Sequence, residues 1–392
     1  MTMDPDYEKK IRALEAHFSR YAKRSTASLG RKNQISEDPF RTPFERDSHR
    51  VLHSLPFRRL KHKTQVFFSP KDDHICTRME HCLHVSSICS TICRRLDLNV
   101  TLAEAIAIAH DLGHPPFGHL GEKALGRIHK EYNKRHKENK LPPFYHEAQS
   151  LRVIDYFQNS LHEPLNLTFE VRDGVVCHCG ETNEQSLVPQ YRKNIKSVEV
   201  TAAHNQRPAT IEGCVVRMAD TISYLGRDFE DACMAHLLEP DQLPESIKRV
   251  LGTNNSQIIG TLITDLVKNS LGLNYLQFSD EIYKAMVEMK KFNYDSIYLH
   301  PKLVEQDERI YLILNDLFAY FLDIVGDSNK LGKLNEGNYP NYPCKVFAQF
   351  LKDMKYPDGT NKGRIIGDFV TGMTDNFALS CFESLFTVQS IV

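Results

Sequence analysis

Three histidines, one aspartate and one glutamate fall between positions 110 and 122: His110, Asp111, His114, His119 and Glu122. Imidazoles and carboxylates hold divalent cations and move protons near neutral pH, so this density points to metal or acid–base chemistry. A hydrogen-bonded His-Asp couple closing a helix is the plainer alternative. The stretch before His110, residues 101–109, is apolar and helix-favouring, and Thr101 and Glu104 are spaced as a capping box. Ile106 lies four residues ahead of His110, so the face that enters the core carries His110 at its end. Buried imidazole and carboxylate are costly unless paired, and a divalent cation is their natural partner. Pro115 and Pro116 stop the helix, while Gly113 and Gly118 permit a tight turn that can aim His114 and His119 back at the same point.

Other helices must supply the rest of such a site. Residues 77–96 read as a helix with Val85, Ile88, Ile92 and Leu96 on its buried side. His81 shares that side, either as a core histidine or as a ligand from a second helix. A longer helix is expected over 211–238, started by Pro208 and Thr210. On it Asp220, Tyr224 and Asp228 recur every four residues, with Arg227 between them. That face is a site wall or a surface ion-pair strip. Further helices are expected over 5–24, from Pro43 onward, 122–136, 145–160 and 168–180, the last ending in a Cys177-His178-Cys179-Gly180 turn. Others follow over 255–270, 279–291, 302–325, 343–354 and 364–388. Residues 63–69 suit a short strand or extended turn, and 181–207 a polar, exposed and mobile excursion. The basic run from Arg46 to Lys63 is a solvated face or faces an anionic ligand. The fold class is all-α, organised as N-terminal helices and a basic loop (1–60), a central core (61–238) and a C-terminal helical region packed on that core (239–392).

Lys plus Arg number 49 and Asp plus Glu 50, a net charge of −1, so no global field selects nucleic acid. Eighteen histidines again favour metal or proton chemistry. The ten cysteines contain no C-x-x-C pair and read as reduced, mostly buried thiols of a cytosolic protein, a structural zinc site being the lesser alternative. The first twenty residues are charged and amphipathic, unlike a signal peptide, and no apolar run is long enough to span a bilayer. A soluble cytoplasmic protein without membrane partners is expected.

The spacing His81…His110-Asp111…Asp220 resembles the HD-domain metal-dependent phosphohydrolases. Several longer words are similar to the bacterial deoxyguanosine triphosphate triphosphohydrolases and their dNTPase relatives. They are residues 41–47 (Arg41 to Asp47), 57–60, 63–67, 77–81, 110–122, His146 to Ser150, and Ile211 to Asp220. The resemblance covers residues 20–235 in broken form, and no such word falls in the C-terminal third. It implies an HD-domain helical phosphohydrolase fold with additional C-terminal helices. The implied reaction is hydrolysis of a deoxynucleoside triphosphate, by attack at the α-phosphorus, to deoxynucleoside and inorganic tripolyphosphate. It further implies a divalent metal (Mn, Mg, Co or Fe) held by His81, His110, Asp111 and Asp220. His119, backed by Glu122, becomes the proton donor, and His114 and His146 become α-phosphate contacts. Arg78, one turn before His81, reaches the phosphates. Tyr224 and Asp228 become sugar-side residues, joined on the substrate side by Glu147 and Arg227. A homo-oligomer, dimer-based or hexameric, a nucleotide effector and single-stranded DNA as a further partner are implied in the same way.

The sequence departs from many bacterial members in one word, reading Ala219-Asp220-Thr221-Ile222-Ser223-Tyr224-Leu225-Gly226-Arg227-Asp228. This form is closer to the vertebrate HD-domain dNTPase, and base choice is not encoded in any of these words. Two alternatives stand beside it: a phosphohydrolase or phosphodiesterase on a nucleoside monophosphate or cyclic nucleotide, which shares the metal residues without needing Tyr224 and Asp228 on the sugar side, and a nucleotide-sensing or DNA-binding regulator with a vestigial site, against which the four intact ligands with His119 and Glu122 argue.

Overall fold

Helices begin where the sequence supplies side chains that cap them. In α1 (Pro5–Glu15) Asp4 accepts from Tyr7 N. In α2 (Pro43–Leu52) Thr42 and Glu45 form a capping box with Pro43 in the first turn. A short α3 (Leu55–Arg59) follows, and Thr77 and Glu80 form a second box for α4 (Arg78–Arg95). Next come α5 (Val100–Ala109), α6 (Gly118–Arg135), α7 (His146–Tyr156), α8 (Phe169–Val176) and α9 (Ile211–Met234). The chain continues with α10 (Glu245–Val250), α11 (Asn255–Ser270), α12 (Asp280–Asn293) and α13 (Pro301–Gly326). It ends with α14 (Ser328–Asn335), α15 (Tyr342–Met354), α16 (Lys362–Thr371) and α17 (Asp375–Phe386). The computed structural model describes residues 3–68, 74–157, 163–179, 184–198, 206–339 and 341–388. Among them the only sheet pairs β1 (Ser186–Leu187) with β2 (Leu276–Gln277), antiparallel. The fold is all-α.

The centre is a bundle in which α4 packs along α5 and α9, and α5 also meets α2 and α8. Its apolar interior includes Phe44, Val85, Ile106, Val171, Val216 and Met289. A second apolar cluster joins α6 to α13, α16 and α17 through Phe117, Leu125, Leu317, Phe321, Phe347 and Phe369. The turn from α5 to α6 therefore lies between the two clusters. It is tight. A Cβ on Gly113 would meet Ser150 N at 2.0 Å, and Phe117 and Gly118 adopt φ of 65° and 57°.

Several local expectations are corrected. Thr101 and Glu104 form no capping box. The helix starts one residue earlier, Asn99 Oδ1 accepts from Leu102 N, and Glu104 accepts instead from Ser90 Oγ. The first helix ends at Glu15, whose carboxylate turns back to accept from Ser25 N. The expected 364–388 helix is two, α16 and α17, the second capped by Thr374. The described part of 181–207 is not an exposed excursion. Leu187 is fully buried in the strand pair, and buried Lys193 bridges to Asp173 at 2.8 Å. Residues 181–183 and 199–205 lie outside the described residues. Of the short strand or extended turn expected at 63–69, the described residues form an extended turn with one bridge, Thr64 with Thr77, residue 69 lying outside them. The basic run is divided: Arg58 and Lys61 are exposed, as a solvated face requires, whereas Arg46, Arg50 and Arg59 donate to the carbonyls of Ser36, Leu165 and Gly372.

Candidate active site

His110 ends α5, and its Nδ1 donates to Ala107 O at 2.6 Å, which leaves Nε2 pointing inward, buried and without a partner. Asp111 follows, with Oδ2 3.5 Å from that Nε2. From α4, His81 Nδ1 lies 3.2 Å from Ser223 Oγ. That hydroxyl gives its own hydrogen to Asp220 O, so it accepts from Nδ1 and leaves His81 Nε2 as a lone pair. The same Nε2 lies 2.9 Å from Asp220 Oδ1 and 4.0 Å from Asp111 Oδ2. Asp220, on α9, is 4.0 Å from His110 Nε2. Burial alone would raise both carboxyls. Whenever the neighbouring imidazoles are protonated, His81 first among them holds Asp220 below the usual range, and His110 with the Arg78 guanidinium holds Asp111 well below it.

The four residues thus turn two imidazole lone pairs and two carboxylates toward one point. Acceptors this close repel unless a cation lies among them, so the donor set fits a divalent metal, and the absence of thiolate fits a hard or borderline one. The outer contacts to Ala107 O and Ser223 Oγ fix the ring orientations that ligation requires.

A second group lies across the cavity. Glu122 on α6 accepts from His146 N at 2.9 Å and from His146 Nδ1 at 2.9 and 3.0 Å. Burial opposes the ionised carboxyl, yet the His146 imidazole holds Glu122 well below its usual range. His119, largely exposed at the mouth, has Nδ1 3.8 Å from Glu122 Oε2. The His114 ring stacks on His146 at 4.2 Å and is neutral, its pKa pushed well down by burial and by Arg78. Lys63 Nζ holds the turn by donating to His114 O at 2.5 Å and to Thr371 O at 2.8 Å. Glu147 is buried, with Oε2 3.7 Å from His146 Nδ1.

The cavity, of about 950 Å³, also reaches Tyr224, Asp228, Lys290, Tyr294 and Tyr298. Three expected site residues already have protein partners. Arg78 is buried, with Nη1 donating to Asp111 Oδ2 at 2.6 Å and Nη2 to Gln65 O at 3.2 Å, so it holds a candidate ligand. Asp228 already accepts from the Tyr298 hydroxyl. Arg227 does not line the cavity, and Nη1 pairs with Glu230 at 2.7 Å. Sequence reasoning missed His178, Cys179, Lys290 and Tyr298 as wall residues. The first two sit in the Cys-His-Cys turn, and Lys290, Tyr294 and Tyr298 recur every four residues, a signal open to reading.

The chain is similar to known proteins along nearly its whole length. The HD domain family matches residues 78–225, and the phosphohydrolase-associated domain family matches 276–384. The deoxyguanosinetriphosphate triphosphohydrolase-like protein of Desulfatibacillum aliphaticivorans is 36% identical over 381 residues, 96% of this chain and 97% of the relative. The protein of the same name from Caldanaerobacter subterraneus subsp. tengcongensis is 34% identical over 369 residues, 94% of this chain and 92% of the relative. One from Clostridium perfringens is 34% identical over 395 residues, 98% and 99% of the two chains.

Proposed function

The chain belongs to the HD-domain family of deoxyguanosinetriphosphate triphosphohydrolase-like proteins, metal-dependent phosphohydrolases, and from that premise we propose that its substrates are deoxynucleoside triphosphates. Water attacks the α-phosphorus, the bond to the 5′-oxygen breaks, and the products are deoxynucleoside and inorganic tripolyphosphate. The observation that carries this reading is the convergence of the His81 and His110 lone pairs with Asp111 and Asp220 at one side of a cavity that also reaches Tyr224 and Asp228.

His81, His110, Asp111 and Asp220 would hold the metal, with manganese, magnesium, cobalt or iron as candidates. A divalent cation there supplies Lewis acidity toward a phosphate oxygen and makes a water more acidic. Arg78 fixes Asp111 and neutralises its outer charge. His119 delivers a proton from Nε2 to the departing 5′-oxygen, with Glu122 standing beside its Nδ1. His146 and His114 contact the α-phosphate, and Lys290, which also lines the cavity, supplies a positive charge to the phosphates. Tyr224 packs against the deoxyribose where a 2′-hydroxyl would project, and Asp228 takes the 3′-hydroxyl. The absence of disulfides among the ten cysteines supports a cytoplasmic setting.

The test is to incubate the purified chain with each dNTP and with GTP in the presence of manganese and separate the products. Deoxynucleoside plus tripolyphosphate is expected from dNTPs and not from GTP. Release of orthophosphate or pyrophosphate would move the chain to another hydrolase class.

A further inference from the structure

The acceptor on the sugar side is not free to turn. Asp228 lines the cavity from α9, and its Oδ2 accepts from the Tyr298 hydroxyl, while among the described residues Oδ1 has no donor. Tyr298 closes a wide π-turn, Tyr294–Tyr298, between α12 and α13. Turns of this kind are uncommon and concentrate at functional sites. The entry to the turn is fastened as well. Buried Asn293 donates from Nδ2 to Leu225 O at 2.9 Å, on the same helix as Asp228. Two ties therefore hold the π-turn against α9, and one of them ends on the carboxylate. The Tyr298 ring also stands 6.5 Å from the ring of His119, so it borders the space between the proton donor and Asp228.

A carboxylate turns about its last side-chain bond with little preference for one angle. A hydroxyl bonded to Oδ2 removes that freedom and leaves Oδ1 for a ligand in the cavity. The same hydroxyl favours the charged form. Burial, with Asp220 on the same helix, pushes the Asp228 carboxyl up to about 7. The Tyr298 hydrogen bond and, from α4, His81 and Arg78 pull the other way. Tyr224 faces it as a neutral phenol, its ionisation raised by burial and by Asp220 and Asp228. Among the described residues only Tyr298 hydrogen-bonds to Asp228.

We propose, on the reading above in which Asp228 takes the 3′-hydroxyl, that Tyr298 is a positioning residue for substrate choice. It holds Asp228 as an oriented anion and so makes a 3′-hydroxyl on the deoxyribose a requirement. Tyr298 makes no bond to that hydroxyl, and its contribution passes through Asp228. The bond it supports lies away from the reacting phosphorus and is equally strong before and during reaction. Its loss therefore raises KM and leaves kcat in place.

Tyr298→Phe removes the hydroxyl and keeps the ring. KM for dGTP should rise roughly tenfold near neutral pH, the difference between an ionic and a neutral acceptor. The kcat should change little, and KM for the 2′,3′-dideoxy analogue should not move. Without its donor the carboxyl ionises at a higher pH. The preference for dGTP should thus grow through about pH 7 in the wild-type chain and at a higher pH in the variant. In an Asp228→Ala background, Tyr298→Phe should change neither KM, because its route to the substrate is gone. Products are identified in the same reactions: anything but deoxynucleoside and tripolyphosphate overturns the reaction class, whereas the two KM values alone judge Tyr298. A ratio of the two KM values that is unchanged in Tyr298→Phe, an equal rise in both, a pH midpoint that stays in place, or a further loss in the Asp228→Ala background would each overturn the assignment.

Discussion

At the residue scale, the candidate ligands differ in what their removal leaves behind. His110→Ala removes an Nε2 that has no protein partner together with a fully buried ring that donates to Ala107 O, so metal affinity and turnover should be lost and the cavity and stranded carbonyl should lower the melting temperature as well. Elemental analysis beside a thermal melt checks this, and full metal content in the variant would rule out His110 as a ligand. Asp111→Ala is a different experiment, because it strands the buried Arg78 guanidinium. An unpaired buried charge costs about 3–5 kcal/mol, so this variant should also unfold more easily, and Asp111→Asn is the cleaner probe. On the sugar side, burial raises the Asp228 carboxyl to about 7, so above that pH Asp228→Ala removes an ionic acceptor worth about 1.5–3 kcal/mol, roughly ten- to a hundredfold in kcat/KM, and less below it. Discrimination between dGTP and its 2′,3′-dideoxy analogue should fall with it, while Tyr224→Ala should admit GTP. Unchanged ratios in both variants would place the sugar elsewhere. The His-Asp residues were legible in sequence because polar groups on apolar helix faces demand a reason. Arg227 misled by the same rule: it shares the helix face of Asp220, but its long side chain reaches Glu230 more cheaply than it enters a cavity. His178 and Cys179 announce no period, and only tertiary packing brings them to His146.

At the scale of elements, α4, α5 and α9 set the site, and their starts are where sequence reasoning worked or failed. Thr42 with Glu45 cap as their spacing suggests. Thr101 and Glu104 do not, since Asn99 is a better cap two residues earlier and Glu104 has Ser90. The start of α9 carries a further consequence. Glu212 is fully buried there, accepts from Lys23 N and Asn99 N at 2.9 and 3.1 Å, and leaves Oε2 without a partner. Burial raises its pKa from 4.5 to about 7, only partly offset by those backbone donors. The native state then holds this proton more tightly than the unfolded chain. Its contribution is fully present below the unfolded value and is lost as pH rises through about 7, a decline of roughly 3 kcal/mol. Glu212→Gln keeps an acceptor for the two amides and removes the titration. The drop in melting temperature between about pH 5 and about pH 8 should therefore shrink in this variant. An equal drop in both proteins would assign the pH dependence to other groups.

At the scale of the molecule, the all-α class was legible from helical periodicity, whereas the particular contacts by which the last helices reach the site were not. No local pattern announces a contact 258 residues apart, yet Asp375, the first residue of α17, accepts from Phe117 N at 2.9 Å. Its other oxygen accepts from Thr64 N at 2.8 Å. Lys63 adds a parallel tie from Thr371 O to His114 O. The C-terminal helices thus clamp the α5–α6 turn, including the left-handed Phe117 and Gly118 that set the direction in which α6 carries His119 and Glu122. Asp375→Ala would leave two buried amides unpaired, at about 1–3 kcal/mol each. The expected result is a lower melting temperature and lower turnover with unchanged metal content, since His81, His110 and Asp220 sit on the other cluster's helices. Hydrogen exchange at the Phe117 amide should quicken beyond that of the α5 amides, placing the loss at the turn. If turnover and Phe117 protection stay at wild-type levels in this variant, α17 merely covers the core and the clamp is not part of how the site is held.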